Sequence, residues 1–305
     1  MKQIYQFKPD EIDQIISRFG QNFYEKVLQA LEVYADRWRL TSFQLVPSYS
    51  ANLVFTCHAA KYGDAVLKIG GVSSGETLAE FHALSEYKGR RFCSVFEADM
   101  EHGILLEERV VPGIALRHEN SLERRLEVFC SLYRDLHVAP ADSERYPTYA
   151  GWVTNITNYM STRTDCSNLY AYMKKAQKLC LSLSAMYPQQ LLLHGDLHHD
   201  NILLGADGAY TIIDPKGVLG DPIFDVPRFI LNEFEEGITL KLEEKINTII
   251  RILEQSLRIP NAVLRQCLYI ETAMAACWTV ESGATYDRYA QLAEEVAFAE
   301  RLMEL

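Results

Sequence analysis

The order of elements along the chain predicts an α+β fold in two lobes. Two helices open it, short β-rich runs follow around one further helix, and beyond Pro112 and Gly113 the pattern turns mostly helical. The length of 305 residues exceeds the usual single core, which also favours two lobes. With no internal repeat, low-complexity tract or Pro/Gly/Ser-rich linker, the boundary is expected to be a short structured crossing.

Residues 10–19 and 22–39 carry helical apolar spacing, with Asp10 as a start signal and Gly20 as the stop between them. The texture then changes to β-rich runs at 43–47, 52–58 and 64–70, separated by the SYSA and KYG turns, as in a small antiparallel sheet. A helix is predicted over 74–88, with Ser73 and Ser74 at its start. RFCSVFEAD and GILLEERV complete the sheet around a turn from Met100 to Gly103. Helices are predicted at 121–137, about 150–162, about 166–186 and through a C-terminal group at roughly 222–304. One β-like interruption, QQLLLHGDLHHDNILLGADGAYTIIDPKG at 189–217, reads as strand, loop, short strand, turn and strand.

Composition narrows the partners. A formal net charge of −11 disfavours nucleic acid, which needs a basic surface, and would suit a cationic small molecule. No stretch approaches the roughly 20 apolar residues of a membrane span. The opening MKQIYQFKPDEIDQ lacks a signal peptide's apolar segment, so a cytoplasmic protein without a membrane partner is expected. Seven cysteines without a CxxC pair argue against a disulfide framework and suit small buried apolar residues.

The chemistry concentrates in HGDLHHDN. His194, Asp196 and Asn201 stand at the spacing of a protein-kinase catalytic loop, and Asp214 follows after a hairpin. A loop carboxylate must reach the attacking hydroxyl while an amide a few residues on returns to hold a metal. Asp196 is therefore the expected catalytic carboxylate, with Asn201 and Asp214 as Mg²⁺ ligands. An ordinary aspartate titrates near about 3.9, which makes Asp196 more a positioner than a base. His194, His198 and His199 also raise a zinc reading, but Gly195 and the β-like flanks oppose the helix that HExxH needs.

Upstream, AVLK supplies Lys68 on a strand for the ATP phosphates. Glu80 on the next helix is the expected partner, with Glu76 one turn earlier as the alternative. GGVSSGET mimics a P-loop, yet Glu76 sits where its lysine belongs and would repel phosphate. The expected phosphate cover is instead the SYSAN turn, with Ser48, Ser50 and backbone amides.

HGDLHHDNIL followed by IIDPKGVLGDPIFDV resembles the aminoglycoside phosphotransferase family, and DPKG resembles streptomycin 6-phosphotransferases and related antibiotic kinases in particular. The resemblance extends over AVLKIG, AEFHALSEYKGR, LLEERVVPG and YRDLHV, roughly residues 45–230. It implies a bilobal protein-kinase-like fold, with a nucleotide-binding lobe over 1–108 and a catalytic, acceptor-binding lobe over 109–305. It further implies an adenine hinge at Glu108 to Val110 and structural aspartates at Asp221 and Asp225. The implied activity is ATP- and Mg²⁺-dependent phosphorylation of a hydroxyl on an aminoglycoside-like antibiotic. Metabolite kinases acting on methylthioribose, fructosamine, choline or homoserine share the loop, and a nucleotide-binding pseudokinase is the alternative outside enzymes. Glu233, Glu235, Glu236, Glu271, Glu281 and Asp287 are the carboxylates available to a cationic acceptor, and Trp152 and Trp278 are candidates for stacking or for core packing.

Overall fold

The structure is a computed structural model that describes residues 4–47, 52–71, 75–234 and 237–304. It divides into two compact units, Met1–Ile114 with Leu203–Ile213, and Ala115–Ile202 with Asp214–Leu305. The single cut expected after residue 108 differs in two respects. The first unit runs on to Ile114, and it takes back a hairpin that lies far downstream in sequence.

In the first unit, α1 (Pro9–Phe19) starts on proline, with Glu11 accepting from the Lys8 backbone N–H at 2.9 Å, and Gly20 ends it at φ +88°. After α2 (Gln21–Arg37) come β1 (Leu40–Leu45), β2 (Asn52–Ala59) and β3 (Gly63–Gly70), then α3 (Glu76–Tyr87), β4 (Val95–Asp99), β5 (Ile104–Glu108) and β6 (Pro112–Ala115). Strands β1 to β5 form one antiparallel sheet in the order β1-β2-β3-β5-β4. β1 begins three residues before the expected run. Leu40 pairs with Ala59, and a register shift between Thr41 and Gln44 absorbs the misfit.

Alternation sorts the sheet's two faces. Phe55 of β2, Leu67 and Ile69 of β3, and Leu106 of β5 join Phe23, Val27 and Leu31 of α2 and Ile15 of α1 in one core. The intervening positions, Lys68 on β3 and Leu105 and Glu107 on β5, therefore belong to the opposite face.

In the second unit, α4 (Leu122–Tyr133) is capped by Ser121 and α5 (Tyr149–Ser161) by Thr148. α6 (Ser167–Met186) leads to β7 (Leu191–Leu193). β8 (Ile202–Gly205) and β9 (Tyr210–Ile212) form the hairpin that returns to the first unit, in a sheet of order β6-β8-β9. β10 (Val218–Gly220) pairs antiparallel with β7, a strand absent from the sequence expectation. The C-terminal group resolves into α7 (Pro227–Leu231), α8 (Leu240–Leu257), α9 (Asn261–Glu281) and α10 (Tyr286–Glu304). α9 is apolar nearly all round, burying Leu268, Ile270, Ala273 and Cys277 together with Glu271, and it forms the centre of this unit. All seven cysteines are buried and free. No helix of the described residues is long and apolar enough to cross a membrane.

Candidate active site

In the first unit the outer sheet face holds a buried charge cluster. Lys68 Nζ contacts Glu80 of α3 and lies 3.2 Å from Glu107 of β5, and all three side chains are almost wholly enclosed. Glu76, the alternative partner, is exposed at the first turn of α3. Lys68 pairs with Leu105 in the ladder and Glu107 lies two residues further along, so the ammonium and this carboxylate are diagonal neighbours on one face. Glu107 carries no signal in the sequence, because a glutamate near a strand end ordinarily reads as a solvated residue.

The P-loop look-alike has a packing explanation. A Cβ on Gly70 would collide with Thr77, whose hydroxyl donates to Asn52 Oδ1 at 2.9 Å. Glycine is thus needed for close approach of β3 to α3. Ser48 and Ser50, the expected phosphate cover, and Ser73 and Ser74, the expected helix start, lie outside the described residues. Glu108 ends β5, its N–H donating to the Ser94 carbonyl at 2.8 Å, and Val110 follows before β6.

In the second unit the loop after β7 is fixed from beneath. Asp225 accepts from the backbone N–H groups of His194 at 2.7 Å and Gly195 at 2.8 Å, and its second bond on Oδ2 is to His137 Nε2 at 2.9 Å. Burial opposes the Asp225 charge, but His137 and the backbone donors outweigh it and keep the carboxyl below its ordinary range. Asp221 serves the chain differently. It accepts from the Ile223 N–H and caps the short turn before α7, and burial raises its carboxyl. Asp196 N–H donates to His194 Nδ1 at 3.0 Å, and Asn201 Nδ2 donates to the Asp196 carbonyl at 2.9 Å, closing the loop on itself.

The Asp196 carboxylate receives Arg228 Nε of α7 at 2.7 Å on Oδ1, while His198 Nε2 lies 3.5 Å from Oδ2. Burial pushes this carboxyl up, but the His198 bond and the Arg228 charge more than compensate and bring it to about 2. Arg228 belongs to no motif in the sequence. Its one signal there is that it is the sole charged residue in the apolar stretch VPRFIL.

The three histidines of the motif diverge, which accounts for their spacing without a shared metal. His194 braces the loop, and His198 accepts from the Asp200 N–H. His199 is buried between Asn232 at 2.9 Å and Glu233 at 2.8 Å, stacked on Phe229. Among the described residues, no group of three or more His, Cys, Asp or Glu is arranged to hold a metal ion.

Asn201 and Asp214 fit a hard divalent cation by donor chemistry. The Asn201 nitrogen is committed to the Asp196 carbonyl, which orients the amide oxygen as a ligand, and Asp214 offers a carboxylate. Asp214 sits at φ +60°, and Lys216 Nζ stands 2.8 Å from its Oδ2, showing that this carboxylate draws positive charge. Of the carboxylates expected to be available to a cationic acceptor, Glu233 is already engaged by Arg125, His199 and Lys245, and Glu271 by the Tyr149 hydroxyl at 2.7 Å. Glu235 and Glu236 lie outside the described residues, and Glu281 and Asp287 are exposed. Trp152 and Trp278 are half-buried and meet edge to face at 5.7 Å.

The chain is similar to known proteins in sequence and in fold. Residues 37–283 match the model of the aminoglycoside/hydroxyurea antibiotic resistance kinase family. The chain is 24% identical to a streptomycin 6-kinase of Streptomyces griseus over 271 residues, covering 87% of this chain and 86% of that one. It is 28% identical to a hydroxyurea phosphotransferase of Kitasatospora aureofaciens over 242 residues, covering 75% and 69%. A solved structure of a thermostable mutant of the aminoglycoside phosphotransferase APH(4)-Ia, in ternary complex with ADP and hygromycin B, superposes with a TM-score of 0.60 at 13% identity, covering 89% of this chain and 97% of that one. The expected kinase-like α+β fold is thus the observed one. With most of its length matched by the family model, the chain belongs to the aminoglycoside/hydroxyurea antibiotic resistance kinase family and is a phosphotransferase.

Proposed function

We propose that the protein transfers the γ-phosphate of ATP, with Mg²⁺, to a hydroxyl of an aminoglycoside-like antibiotic of the streptomycin type. The observation that carries this reading is the closed loop from His194 to Asn201. There Asp225 fixes the backbone, Asn201 ties itself to Asp196, and the Asp196 carboxylate stays ionised. The family membership and the streptomycin 6-kinase relative point to the same reaction. The setting would be the cytoplasm, where ATP is available.

In this reading the first unit carries the nucleotide. Lys68, held by Glu80, contacts the phosphates, Ser48 and Ser50 cover them, and Glu108 to Val110 serve the adenine. The second unit carries the catalytic loop. Asn201 and Asp214 would hold Mg²⁺, which would supply positive charge to the ATP phosphates. Asp196 accepts a hydrogen bond from the acceptor hydroxyl and aims its oxygen. At a value of about 2 it is a weak base, so the proton reaches it late and its main contribution is alignment.

A second reading concerns the acceptor. Glu233 and Glu271 are occupied by the protein's own donors and cations, and the hydroxyurea phosphotransferase relative acts, by its name, on a small neutral molecule. A small neutral acceptor is therefore the alternative. ADP release should be followed with streptomycin, other aminoglycosides, hydroxyurea, choline and methylthioribose, using Asp196→Ala as blank. Stimulation by streptomycin supports the first reading and stimulation by hydroxyurea alone the second. We expect Asp196→Ala to lose roughly 10²–10⁴-fold in kcat with ATP binding retained. Wild-type turnover in that variant would exclude Asp196 as the catalytic carboxylate, and silence of the wild type with every acceptor would favour a nucleotide sensor.

A further inference from the structure

Behind Asp196 stands a chain of polar groups that no motif requires. Arg228 Nε donates to Asp196 Oδ1 at 2.7 Å, Arg228 Nη1 lies 4.0 Å from Glu271 Oε1, and the Tyr149 hydroxyl donates to Glu271 Oε2 at 2.7 Å. Tyr149 and Glu271 are 1% and 3% exposed, sealed in the second unit by α5 and α9. Arg228 is anchored by its own helix, since its neighbours Phe229 and Ile230 are wholly buried and Pro227 fixes the first turn of α7. Burial raises the Glu271 carboxyl, and an enclosed acid is costly to retain unless partners satisfy it; here these are the guanidinium that grips Asp196 and the Tyr149 hydroxyl.

We infer that Arg228 is a positioning residue for Asp196. By holding Oδ1 it fixes the plane of the carboxylate and leaves Oδ2, which His198 Nε2 reaches only at 3.5 Å, as the oxygen presented to the acceptor hydroxyl, while Glu271, itself bonded by Tyr149, stands 4.0 Å behind the guanidinium. The inference rests on the reading of Asp196 as the catalytic carboxylate. A carboxylate on χ2 has a broad, soft torsion, so an ungripped Asp196 would sample orientations in which neither oxygen is aimed. Near-attack geometry is lost with small misplacements, which makes the grip a matter of turnover more than of binding. The Nε donor is well suited to this because it is the nitrogen nearest the stem and moves least when the guanidinium tip fluctuates.

The test is steady-state ADP release with MgATP and, as acceptor in turn, water, streptomycin and hydroxyurea, for the wild type and for Asp196→Ala, Arg228→Met, Arg228→Lys and Tyr149→Phe. Arg228→Met is expected to lose about 10²-fold in kcat, with KM for ATP within about twofold of the wild type. Arg228→Lys keeps the charge without the fork and should recover about tenfold of that loss, and Tyr149→Phe should lose about threefold to tenfold. A residue that merely stabilised the fold would not separate kcat from the ATP KM in this way. Wild-type kcat in Arg228→Met, with Asp196→Ala inactive, overturns the inference and leaves the proposed function standing. If Arg228→Met does not fold, Arg228→Lys decides by the same kcat comparison. Equal ADP release from the wild type and Asp196→Ala with all three acceptors sinks the proposed function and this inference with it.

Discussion

Between Leu193 and Asp196 the backbone has to turn in a space that admits no side chain. Gly195 sits at φ +79°, and a Cβ there would stand 2.9 Å from Trp152 Cη2 and 3.0 Å from Val218 Cγ1. Its N–H is also one of the two that Asp225 fixes, so any relaxation of this residue is passed to the Asp196 carbonyl and on to Asn201. Gly195→Ala therefore carries a conformational cost of about 1–3 kcal/mol in addition to the clash. We expect a lowered denaturation midpoint and a loss of roughly 10²-fold in kcat, the first read by urea unfolding and the second by ADP release. Unaltered values of both would mean that the loop tolerates a side chain the geometry excludes.

The same scale explains which candidate site residues stand out in the sequence. Asp196, Asn201 and Asp214 announce themselves because their spacing is set by one continuous stretch of chain. Lys68 and Glu80 are nearly as legible, since a strand lysine followed by a helix glutamate is a local pattern. Arg228 and Glu107 are not, and Glu271 reads there only as one of several carboxylates available to an acceptor. Each gains its meaning from a partner brought by tertiary packing, Asp196 at 32 residues' remove and Tyr149 at 122. A charged residue inside an apolar run, as in VPRFIL and YIETAM, is the trace such partners leave, and it tells that a partner exists without telling which.

At the scale of elements, Glu233 ties together pieces that are distant in sequence. It follows α7 and receives Arg125 of α4 at 2.7 Å, His199 of the loop after β7 at 2.8 Å and Lys245 of α8 at 3.0 Å. Burial pushes its carboxyl up, but His199, Arg125 and Lys245 more than offset this and hold it far below the usual glutamate range. The sign of the pH effect follows. An unfolded glutamate takes up its proton near pH about 4.3 while the folded one stays ionised, so the unfolded state binds more protons and stability is lost as pH falls. Glu233→Gln should cost about 3 kcal/mol at pH 7, where three donors lose their carboxylate. The gap between variant and wild type in thermal unfolding should narrow as the pH is lowered from 7 towards 3. A constant gap would show that Glu233 contributes shape and no charge. The elements themselves were largely legible in the sequence, because apolar periodicity is a local property. What it could not supply was register: β1 starts at Leu40 because its partner Ala59 is there, and β10 exists because β7 lies beside it.

For the whole molecule, charge is the property that reaches furthest. A net charge of −11 sets a field that attracts cations to the protein before any specific contact forms. Of the carboxylates considered for a cationic acceptor, the two that are enclosed in the second unit, Glu233 and Glu271, are engaged by the protein's own donors, so they add little to its capture at short range. Long-range steering would then carry most of the preference for such an acceptor, and steering is screened by salt where a buried ion pair is not. The Debye length falls from about 30 Å at 0.01 M to about 8 Å at 0.15 M ionic strength. Across that range kcat/KM for streptomycin, which is cationic, should fall several-fold, while kcat/KM for neutral hydroxyurea should stay level in the same preparation. Because ATP is present at saturation in both measurements, a salt effect on nucleotide binding cancels between them. A level profile for streptomycin would place its recognition in short-range contacts, with the exposed Glu281 and Asp287 the first carboxylates to replace by amides.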